Sequence, residues 1–390
     1  MRVAVTGATG LVGHHVAAAA LAAGHEVTAV TRLGRGLPDR LASLGAVRRV
    51  GAELTDSTSL ARALDGTGGI DAVIHCAAVY SYAPSATTEL TDVNVTGTRL
   101  VLEAAAAAGA TRAVMTSSSV TCGSSLLPVA RTERDHLGSE PAPAYYASKV
   151  RQEREALDVA ARTGLDVVLA LPTVVLGGPF DRLGPSNAIV LRYLLDPTRS
   201  TFPGGCNVVD ARDAGAGHVT LVEHGEPGER YLLGGDDVTW RTLHALVADL
   251  AGVPQPVAEL PPGVAWLASA AAEAWASVTS TTPLSTRDEA TTVGRHYWYS
   301  SDRARALGYA ARPARDAVAA SLAWLAVSPD LPRVVRESLR LRPEVRAARP
   351  LRPRRVPDPS GADGEPPSMA VTPRRRPPRP APPRRRPSPR

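Results

Sequence analysis

Near its start the chain reads Thr6-Gly7-Ala8-Thr9-Gly10-Leu11-Val12-Gly13, directly after a short apolar run from Arg2 to Thr6. Three glycines at this spacing allow a tight turn, a close approach of the backbone to a pyrophosphate, and close packing of the following helix. The N-terminus of that helix attracts phosphate. A glycine turn without a ligand is the alternative, but the position after a first strand favours a dinucleotide site. We expect this site to comprise Gly7, Thr9, Gly10, Leu11, Val12 and Gly13.

Short apolar runs alternate with stretches of helical composition through the first half of the chain. The runs that predict strands are residues 2–6, 26–31, 47–50, 72–75, 112–116 and 166–171. Strands separated by helices form right-handed βαβ units, whose parallel sheet is covered by helices on both faces. The sequence therefore predicts an α/β fold. A doubly wound Rossmann sheet would occupy residues 1–171, and a small substrate-binding subdomain, interleaved with it, residues 172–328.

The composition changes after Ser328, where arginine and proline dominate. Residues 331–390 hold 17 arginines against five acidic residues, so the positive net charge of +6 belongs to this end of the chain. We expect residues 329–390 to form a largely disordered basic tail, because such segments cannot bury enough apolar surface to fold. A role for this tail in binding anions and a merely solvated extension both stay open. The segment 351–390 has no aromatic residue to stack on bases, so no specific nucleic-acid partner is expected.

The cysteines and the apolar segments bear on the cellular compartment. Cys76, Cys122 and Cys206 lie far apart in or beside apolar runs, which is typical of buried thiols in a reducing compartment. We see no leader peptide, and the alanine-rich stretch 261–281 contains Glu273, which argues against a membrane span. A cytoplasmic protein is expected. The spacing of the histidines matches no ligand set, so no metal is expected.

The second predicted strand bears on the choice of cofactor. An acidic side chain at its end would bind the ribose 2′-hydroxyl of NAD. This strand ends with Thr31-Arg32, and the guanidinium of Arg32 can bind a 2′-phosphate through two charge-assisted hydrogen bonds. The sequence therefore favours NADP over NAD, with a solvated arginine as the alternative.

A single lysine stands among the 44 basic residues of the chain, at position 149. Tyr145 precedes it by four residues in a stretch of helical composition, so both side chains lie on one face. A nearby ammonium favours the phenolate and lowers the pKa of a tyrosine toward the range that a general acid or base needs. Chance retention of one lysine is the alternative, but this spacing favours a catalytic pair.

The motifs together resemble those of the extended short-chain dehydrogenase/reductase family, over residues 1 to about 327. The features that carry the resemblance are Thr-Gly-x-x-Gly-x-x-Gly at Thr6, His75-Cys-Ala-Ala78, Asn94, Thr116-Ser-Ser-Ser119 and Tyr-x-x-x-Lys at Tyr145. The resemblance implies a catalytic group of Ser118, Tyr145 and Lys149. Ser118 is selected by its distance from Gly123, and Ser117 and Ser119 stay open as contributing neighbours.

The resemblance also implies positions for further site residues. Glu53 and Leu54 would lie near the adenine of the cofactor. Ala77, Ala78 and Val79 would line the cofactor cleft, and Pro172, Thr173 and Val174 would pass beside the nicotinamide. Tyr145 and Lys149 would contact the cofactor as well. The expected substrate-lining residues are Tyr80, Tyr82, Ser119, Val120, Tyr146, Ile189 and Tyr193.

The reaction is harder to predict, since reductases and nucleotide-sugar enzymes of this family share the same catalytic group. Cys206 stands where sugar-nucleotide enzymes typically have arginine, and the segments 172–186 and 228–235 resemble the dihydroflavonol-4-reductase-like branch. We expect an oxidoreductase that reduces a small, largely apolar ketone or aldehyde, or oxidises the alcohol. A nucleotide-sugar epimerase/dehydratase and a non-catalytic NADP-binding regulatory protein are the alternatives. The resemblance further suggests a homodimer.

Overall fold

A computed structural model of the chain describes residues 1–82, 86–139, 142–179, 182–279 and 287–348. The strands are β1 (Arg2–Thr6), β2 (Glu26–Thr31), β3 (Val47–Gly51), β4 (Ala72–His75), β5 (Arg112–Thr116), β6 (Asp166–Pro172), β7 (Val174–Leu176), β8 (Ser200–Thr201), β9 (Gly205–Asp210), β10 (Arg230–Leu233), β11 (Asp236–Thr239), β12 (Ala258–Glu259) and β13 (His296–Tyr297).

The helices follow the strands in alternation through the first half. They are α1 (Leu11–Ala22), α2 (Asp39–Ala42), α3 (Ser57–Asp65), α4 (Thr87–Glu89), α5 (Gly97–Ala107), α6 (Ala144–Thr163), α7 (Pro185–Leu195), α8 (Ala211–His224), α9 (Trp240–Ala251), α10 (Pro262–Thr279), α11 (Arg287–Ala290), α12 (Asp302–Ala306), α13 (Ala314–Leu325), α14 (Arg333–Ser338) and α15 (Pro343–Ala347). A π-helical segment, Leu90–Thr96, joins α4 to α5, and a 3₁₀ turn, Ser119–Cys122, follows β5.

A seven-stranded sheet forms the body of the protein, in the order β3-β2-β1-β4-β5-β6-β10. Every neighbouring pair in it is parallel. Successive side chains of a strand point to opposite faces. Accordingly Val3 and Val5 belong to a core with α1 and α8, whereas Ala4 belongs to a core with α3, α5 and α6. The predicted doubly wound Rossmann fold is confirmed.

The strand order reverses between β1 and β4. From β1 the chain adds β2 and β3 on one side, and it then crosses back to place β4, β5 and β6 on the other side. Ligands of such sheets bind in the crevice at the carboxyl ends of the strands at this switch point. The glycine loop, the segment after β4 and the serine cluster after β5 all leave the sheet at this edge. The fold therefore gathers most of the predicted site residues at one place.

A second, smaller layer is built around β9, which pairs with β7, β11 and β13. Its apolar core is shared by α7, α9 and α13 and includes Leu191, Val208, Leu243 and Leu322. The region 172–328 also returns to the first sheet, since β10 extends that sheet and α8 packs on α1. The division into residues 1–171 and 172–328 stays a prediction.

Residues 331–348, which composition assigned to the tail, are folded. Leu331, Leu339 and Val345 are buried in the same core as α9 and α13. The Arg342 guanidinium pairs with Asp249 at 2.7 Å. The apolar residues spaced along this arginine-rich segment are buried and hold it against the core. The overall composition of the segment does not show this. The rest of the predicted disordered tail lies outside the described residues.

Within the described ranges, none of the helices combines the length and the apolar character that crossing a membrane requires. The same part of the chain holds no cluster of three or more His, Cys, Asp or Glu side chains that could bind a metal ion.

Candidate active site

The glycine loop has the geometry of a phosphate cradle. Gly7 has φ of +68°, and a Cβ there would lie 2.6 Å from the Ala77 nitrogen. A Cβ on Gly13 would lie 2.2 Å from the Gly7 carbonyl oxygen. Gly10 caps α1 without a side-chain hydrogen bond, so the first N–H groups of the helix face the loop uncapped. These residues fit the pyrophosphate of a dinucleotide.

One cavity of about 1100 Å³ runs from this loop across the ends of β4, β5 and β6. Nearly all of the predicted site residues line it. They are Gly7, Thr9, Gly10, Leu11, Val12, Gly13, Arg32, Ala78, Val79, Tyr80, Tyr82, Ser118, Ser119, Val120, Tyr145, Tyr146, Lys149, Pro172, Thr173, Val174, Ile189 and Tyr193.

Three residues expected to contact the cofactor do not line this cavity. Ala77 packs behind the glycine turn, where its N–H donates to the Thr6 hydroxyl at 3.3 Å. Glu53 is exposed, and Leu54 packs against Gly97 of α5. Their predicted positions came from the family resemblance, and their contact with a cofactor stays a prediction.

Two arginines stand at the end of the cavity beside the glycine loop. Arg32 is exposed just after β2 and lines the cavity. Arg40, on α2, donates a hydrogen bond to the Thr9 carbonyl and so places a second guanidinium against the loop. Arg40 was not singled out in the sequence, because its approach to the loop depends on the turn between β2 and α2.

Each of the three adjacent serines after β5 has a different partner. The Ser117 hydroxyl bonds to the Glu153 carboxylate, and Ser119 bonds to the Tyr299 hydroxyl. Ser118 bonds to the hydroxyl of Tyr145 and lines the cavity. All three serines line the cavity, and Ser118 is the one that contacts Tyr145; its catalytic role stays a prediction.

Replacing Ser118 with Ala is expected to lower kcat by about tenfold to a hundredfold, because one donor to the developing oxyanion is lost. Ser119→Ala serves as the matched variant, since its hydroxyl is committed to Tyr299. Steady-state kinetics of both variants would check this. Equal kcat losses in the two variants would contradict the assignment of Ser118.

Tyr145 and Lys149 lie on one face of α6, as their spacing predicted, and both are buried. The Lys149 ammonium lies 5.9 Å from the centroid of the Tyr145 ring. Burial is the largest influence on the tyrosine and raises its pKa, and the hydrogen bond from Ser118 acts to lower it. Tyr80 raises this pKa further, and Lys149 is not among the groups that shift it, so the lowering expected from the sequence is not found. Tyr145 holds its proton at neutral pH and is set to donate it.

Lys149 is held by two acceptors. Its Nζ donates to the Thr116 carbonyl at 3.0 Å and to Oε1 of Gln152 at 2.8 Å. An ammonium has three donors, so these two bonds leave one N–H for a ligand in the cavity. Burial lowers the pKa of Lys149 to about 8, while the charge of Glu153 acts to raise it. The ammonium therefore titrates close to neutral pH.

A buried chain of hydrogen bonds continues from Lys149 to the first strand. The Gln152 amide donates to the Thr98 hydroxyl at 2.7 Å, which bonds to Nε2 of His75 at 2.9 Å. Nδ1 of His75 bonds to the Thr6 hydroxyl at 2.7 Å. Burial lowers the pKa of His75 to about 3, so its ring is neutral. This series of hydrogen bonds joins the Lys149 side chain to β1, the strand that precedes the glycine loop.

Gln152 was missed in the sequence, although its position three residues after Lys149 is a usable signal. Replacing it with Leu removes an acceptor of the charged lysine, which should lower the pKa of Lys149 and reduce kcat by about tenfold. Replacing it with Glu adds a negative charge and should raise that pKa. The alkaline limb of kcat/KM should move down in pH for the first variant and up for the second. Shifts in one direction would indicate mere structural damage.

Aromatic side chains pack around the ring of Tyr145. Tyr80 stacks on its ring with centroids 4.5 Å apart, and the Tyr80 and Tyr82 hydroxyls lie 3.1 Å apart. Tyr82 and Tyr297 each pack edge-on against Tyr146. This cluster shields the candidate proton donor from bulk water and gives the inner part of the cavity an apolar wall.

The outer part of the cavity has an aromatic wall, of which the sequence analysis named only Tyr193. The rings of Tyr193 and His244 stack at 4.7 Å, with Phe202 and Trp240 packed beside them. Burial lowers the pKa of His244 to about 4, so this ring is uncharged at neutral pH. The wall draws on three separate elements of the second layer, which is why no local pattern marked it.

Charged groups also reach the cavity. Arg182 and Arg192 line it near α7. Cys206, at the position considered for a nucleotide-binding arginine, is buried and lines the cavity, and the nearby Arg212 pairs with Asp210 at 2.7 Å. Guanidinium groups are therefore present at the cavity. They come from α7 and the segment just before it, and not from the position of Cys206.

Known proteins resemble this chain over most of its length. The model of the NAD dependent epimerase/dehydratase family matches residues 3–234. Sterol demethylase protein B of Methylococcus capsulatus is 34% identical over 268 residues, covering 67% of this chain and 78% of that protein. A Synechocystis protein assigned as a dihydroflavonol 4-reductase is 33% identical over 266 residues, covering 66% of this chain and 74% of that protein.

A solved structure agrees with these relatives. The crystal structure of gox2253 has a TM-score of 0.73 and 29% sequence identity, and the match covers 85% of this chain and 99% of that one. The family match includes the glycine loop, the serine cluster and the Tyr145–Lys149 pair that converge on the cavity. The chain therefore belongs to the NAD-dependent epimerase/dehydratase family of extended short-chain dehydrogenases/reductases.

Proposed function

We propose that this protein is an NAD(P)-dependent oxidoreductase that reduces a ketone or aldehyde of a largely apolar substrate, or oxidises the corresponding alcohol. The observation that carries the proposal is the position of the Tyr145 hydroxyl. It is bonded to Ser118, lies on the face of α6 that holds Lys149, and opens into the cavity that begins at the glycine loop.

Each residue of the catalytic group has a separate role in the proposed reaction. When bound, a nicotinamide cofactor would supply the hydride for reduction or accept it for oxidation. The Ser118 hydroxyl donates a hydrogen bond to the carbonyl oxygen of the substrate and stabilises the negative charge that develops there. Tyr145 gives that oxygen its proton. The Lys149 ammonium stabilises the phenolate that remains, and the tyrosine cluster excludes water.

The apolar substrate class is supported by the two aromatic walls of the cavity. The inner wall contains Tyr80 and Tyr82, and the outer wall contains Tyr193, Phe202 and Trp240. The relatives point the same way, since one is named for sterol demethylation and another for dihydroflavonol reduction.

We further propose that the cofactor is NADP, with NAD as the alternative. Arg32 is supported in this role by its place in the cavity, and Arg40 brings a second positive charge nearby. Replacing Arg32 with Ala should raise KM for NADP by about tenfold and leave KM for NAD nearly unchanged, because only the 2′-phosphate loses a partner. Arg62→Ala, an exposed arginine on α3, is the control. An unchanged NADP preference would remove the assignment.

An epimerase/dehydratase acting on a nucleotide-linked sugar is the second candidate. Arg182 and Arg192 favour it, because guanidinium groups bind a diphosphate well. A panel of apolar ketones and nucleotide sugars, followed at the absorbance of the reduced nicotinamide, separates the two. Net oxidation of NADPH with ketones supports the reductase, whereas sugar conversion without net cofactor change supports the epimerase. Tight NADPH binding without turnover of any compound would favour a regulatory protein.

A further inference from the structure

His244, on α9, is a buried histidine that no step of the proposed reaction uses. Its exposed fraction is 5%, and its ring lines the outer part of the active-site cavity. Nδ1 of the ring is hydrogen-bonded to the Thr201 hydroxyl at 3.0 Å. Nε2 has no hydrogen-bond partner among the residues that the structure describes. Nε2 is therefore the polar atom that this ring offers to a ligand in the cavity.

The packing of the His244 ring fixes the direction of Nε2. The ring of Tyr193 stacks on one face, with centroids 4.7 Å apart and planes 14° apart. Tyr193 is itself held, because its hydroxyl donates to the Pro254 carbonyl at 2.8 Å. The bond to the fully buried Thr201 hydroxyl holds the edge of the ring that carries Nδ1. A ligand therefore meets a polar atom that is already in place.

The hydrogen bond to Thr201 determines which oxygens Nε2 can bind. A hydroxyl group both donates and accepts, so the neutral ring can carry its proton on either nitrogen. When Thr201 donates to Nδ1, Nε2 carries the proton and donates to a carbonyl oxygen. When Thr201 accepts from Nδ1, Nε2 has a lone pair and accepts from a hydroxyl group. Both oxygen types fit this position.

The charges around the ring favour an uncharged ligand group. Burial lowers the pKa of His244 to about 4 and outweighs the opposite effect of Asp196, so the ring is neutral at neutral pH. Asp196 also lines the cavity, and its carboxylate accepts bonds from the Thr198 hydroxyl and the Ser200 N–H, each at 2.7 Å. An anionic ligand group would meet this negative charge without a positive charge on the ring. A neutral oxygen avoids that repulsion.

Aromatic side chains make up the surroundings of this polar atom. The ring centroids of Phe202 and Trp240 each lie 6.4 Å from that of His244, and both side chains line the cavity. Apolar rings of a ligand pack well against such a wall. A buried nitrogen beside them costs free energy when a ligand covers it without forming a hydrogen bond. The position thus favours a ring-containing apolar ligand that carries an oxygen.

We propose that His244 determines substrate specificity by binding, through Nε2, a neutral hydroxyl or carbonyl oxygen on the end of the substrate remote from the carbonyl that Tyr145 protonates. The substrate is then an apolar ring compound with oxygen at both ends. This inference rests on the proposed function, since it takes the ligand in the cavity to be the substrate. Recognition of the remote oxygen itself requires no turnover.

Equilibrium dialysis of the full-length protein with two ketones tests the proposal. 4-Hydroxybenzophenone and 4-methylbenzophenone have nearly the same shape, and only the first carries a remote hydroxyl group. The measurement is made at pH 6.5 with oxidised NADP, which has no hydride to give. We expect the hydroxyl compound to bind about tenfold more tightly, because the methyl compound leaves Nε2 buried without a partner.

Variants of the two hydrogen-bonded residues assign this preference. His244→Phe keeps a stacked ring but has no ring nitrogen, so the two ketones should bind equally. His244→Leu gives the same readout if a phenylalanine ring does not fit. Thr201→Val is the matched control, because it removes the partner of Nδ1 and keeps Nε2, and its preference for the hydroxyl compound should remain. Thermal unfolding verifies that each variant is folded.

Three results of the dialysis would overturn the proposal. Equal affinities of the wild-type protein for the two ketones would remove it directly. A preference that persists in both His244 variants would assign recognition to another group. A preference lost as fully in Thr201→Val as in His244→Phe would show that packing, and not Nε2, is responsible.

Turnover with NADPH is measured separately and tests the proposed function. Hydroxyl-selective binding without reduction of either ketone would count against the reductase and support the role of His244. Reduction of both ketones with equal KM would support the reductase and overturn the role of His244.

Discussion

Tyr145→Phe is expected to lower kcat by about 10²–10⁴-fold, the contribution typical of a positioned general acid. The ring and its stacking on Tyr80 are kept, and only the hydroxyl that bonds to Ser118 is lost. Cofactor binding should change little, because the glycine loop lies elsewhere in the cavity. Steady-state kinetics with a ketone substrate, together with NADPH titration by fluorescence, would measure both quantities.

The neighbouring tyrosine provides the comparison. Tyr146 is equally buried and belongs to the same aromatic cluster, but the contacts with Ser118 and with the Lys149 ammonium are made by Tyr145. Tyr146→Phe should therefore act mainly on KM through its contacts with the substrate. A fall in kcat that is as large for Tyr146→Phe as for Tyr145→Phe would show that the proton comes from elsewhere.

The first six strands were predictable to within about one residue. Buried parallel strands read as continuous apolar runs, and glycine or polar residues bound them, so the signal is local. The membership of β10 in the same sheet was not predictable, because its place beside β6 depends on a crossover of the whole second layer. The folded segment 331–348 was hidden for a similar reason, since three spaced apolar residues suffice to anchor it.

The candidate site likewise has residues that a local sequence pattern predicts and residues that only the fold brings together. The glycine loop and the Tyr145–Lys149 pair are local patterns whose geometry follows from a turn and a helix. Gln152 lies on that same helix, but its partners Thr98 and His75 come from α5 and β4, so only the fold reveals the chain of bonds. The positions of Glu53 and Leu54 were carried over from the family without a local pattern, and the structure places both outside the cavity.

Lys149→Arg should lower kcat by about a thousandfold, although the positive charge is kept. The ammonium is buried and makes two short bonds to acceptors that converge on one nitrogen. A guanidinium is planar, larger and divides its donors among three nitrogens, so it cannot satisfy both acceptors from that place. Arg151→Lys is the matched control on the exposed face of the same helix, and its activity should be unchanged.

The pH dependence distinguishes loss of the ammonium's role from general damage. Because the pKa of Lys149 is about 8, a rise in pH through this value removes the charge that stabilises the Tyr145 phenolate, and kcat/KM should fall on the alkaline side. A guanidinium stays charged throughout this range, so the residual activity of the Lys149→Arg variant should lack that limb. If the variant kept near-normal activity, Lys149 would not be required for turnover. Retention of the limb alone would assign the titration to another group that the wild-type and variant proteins share.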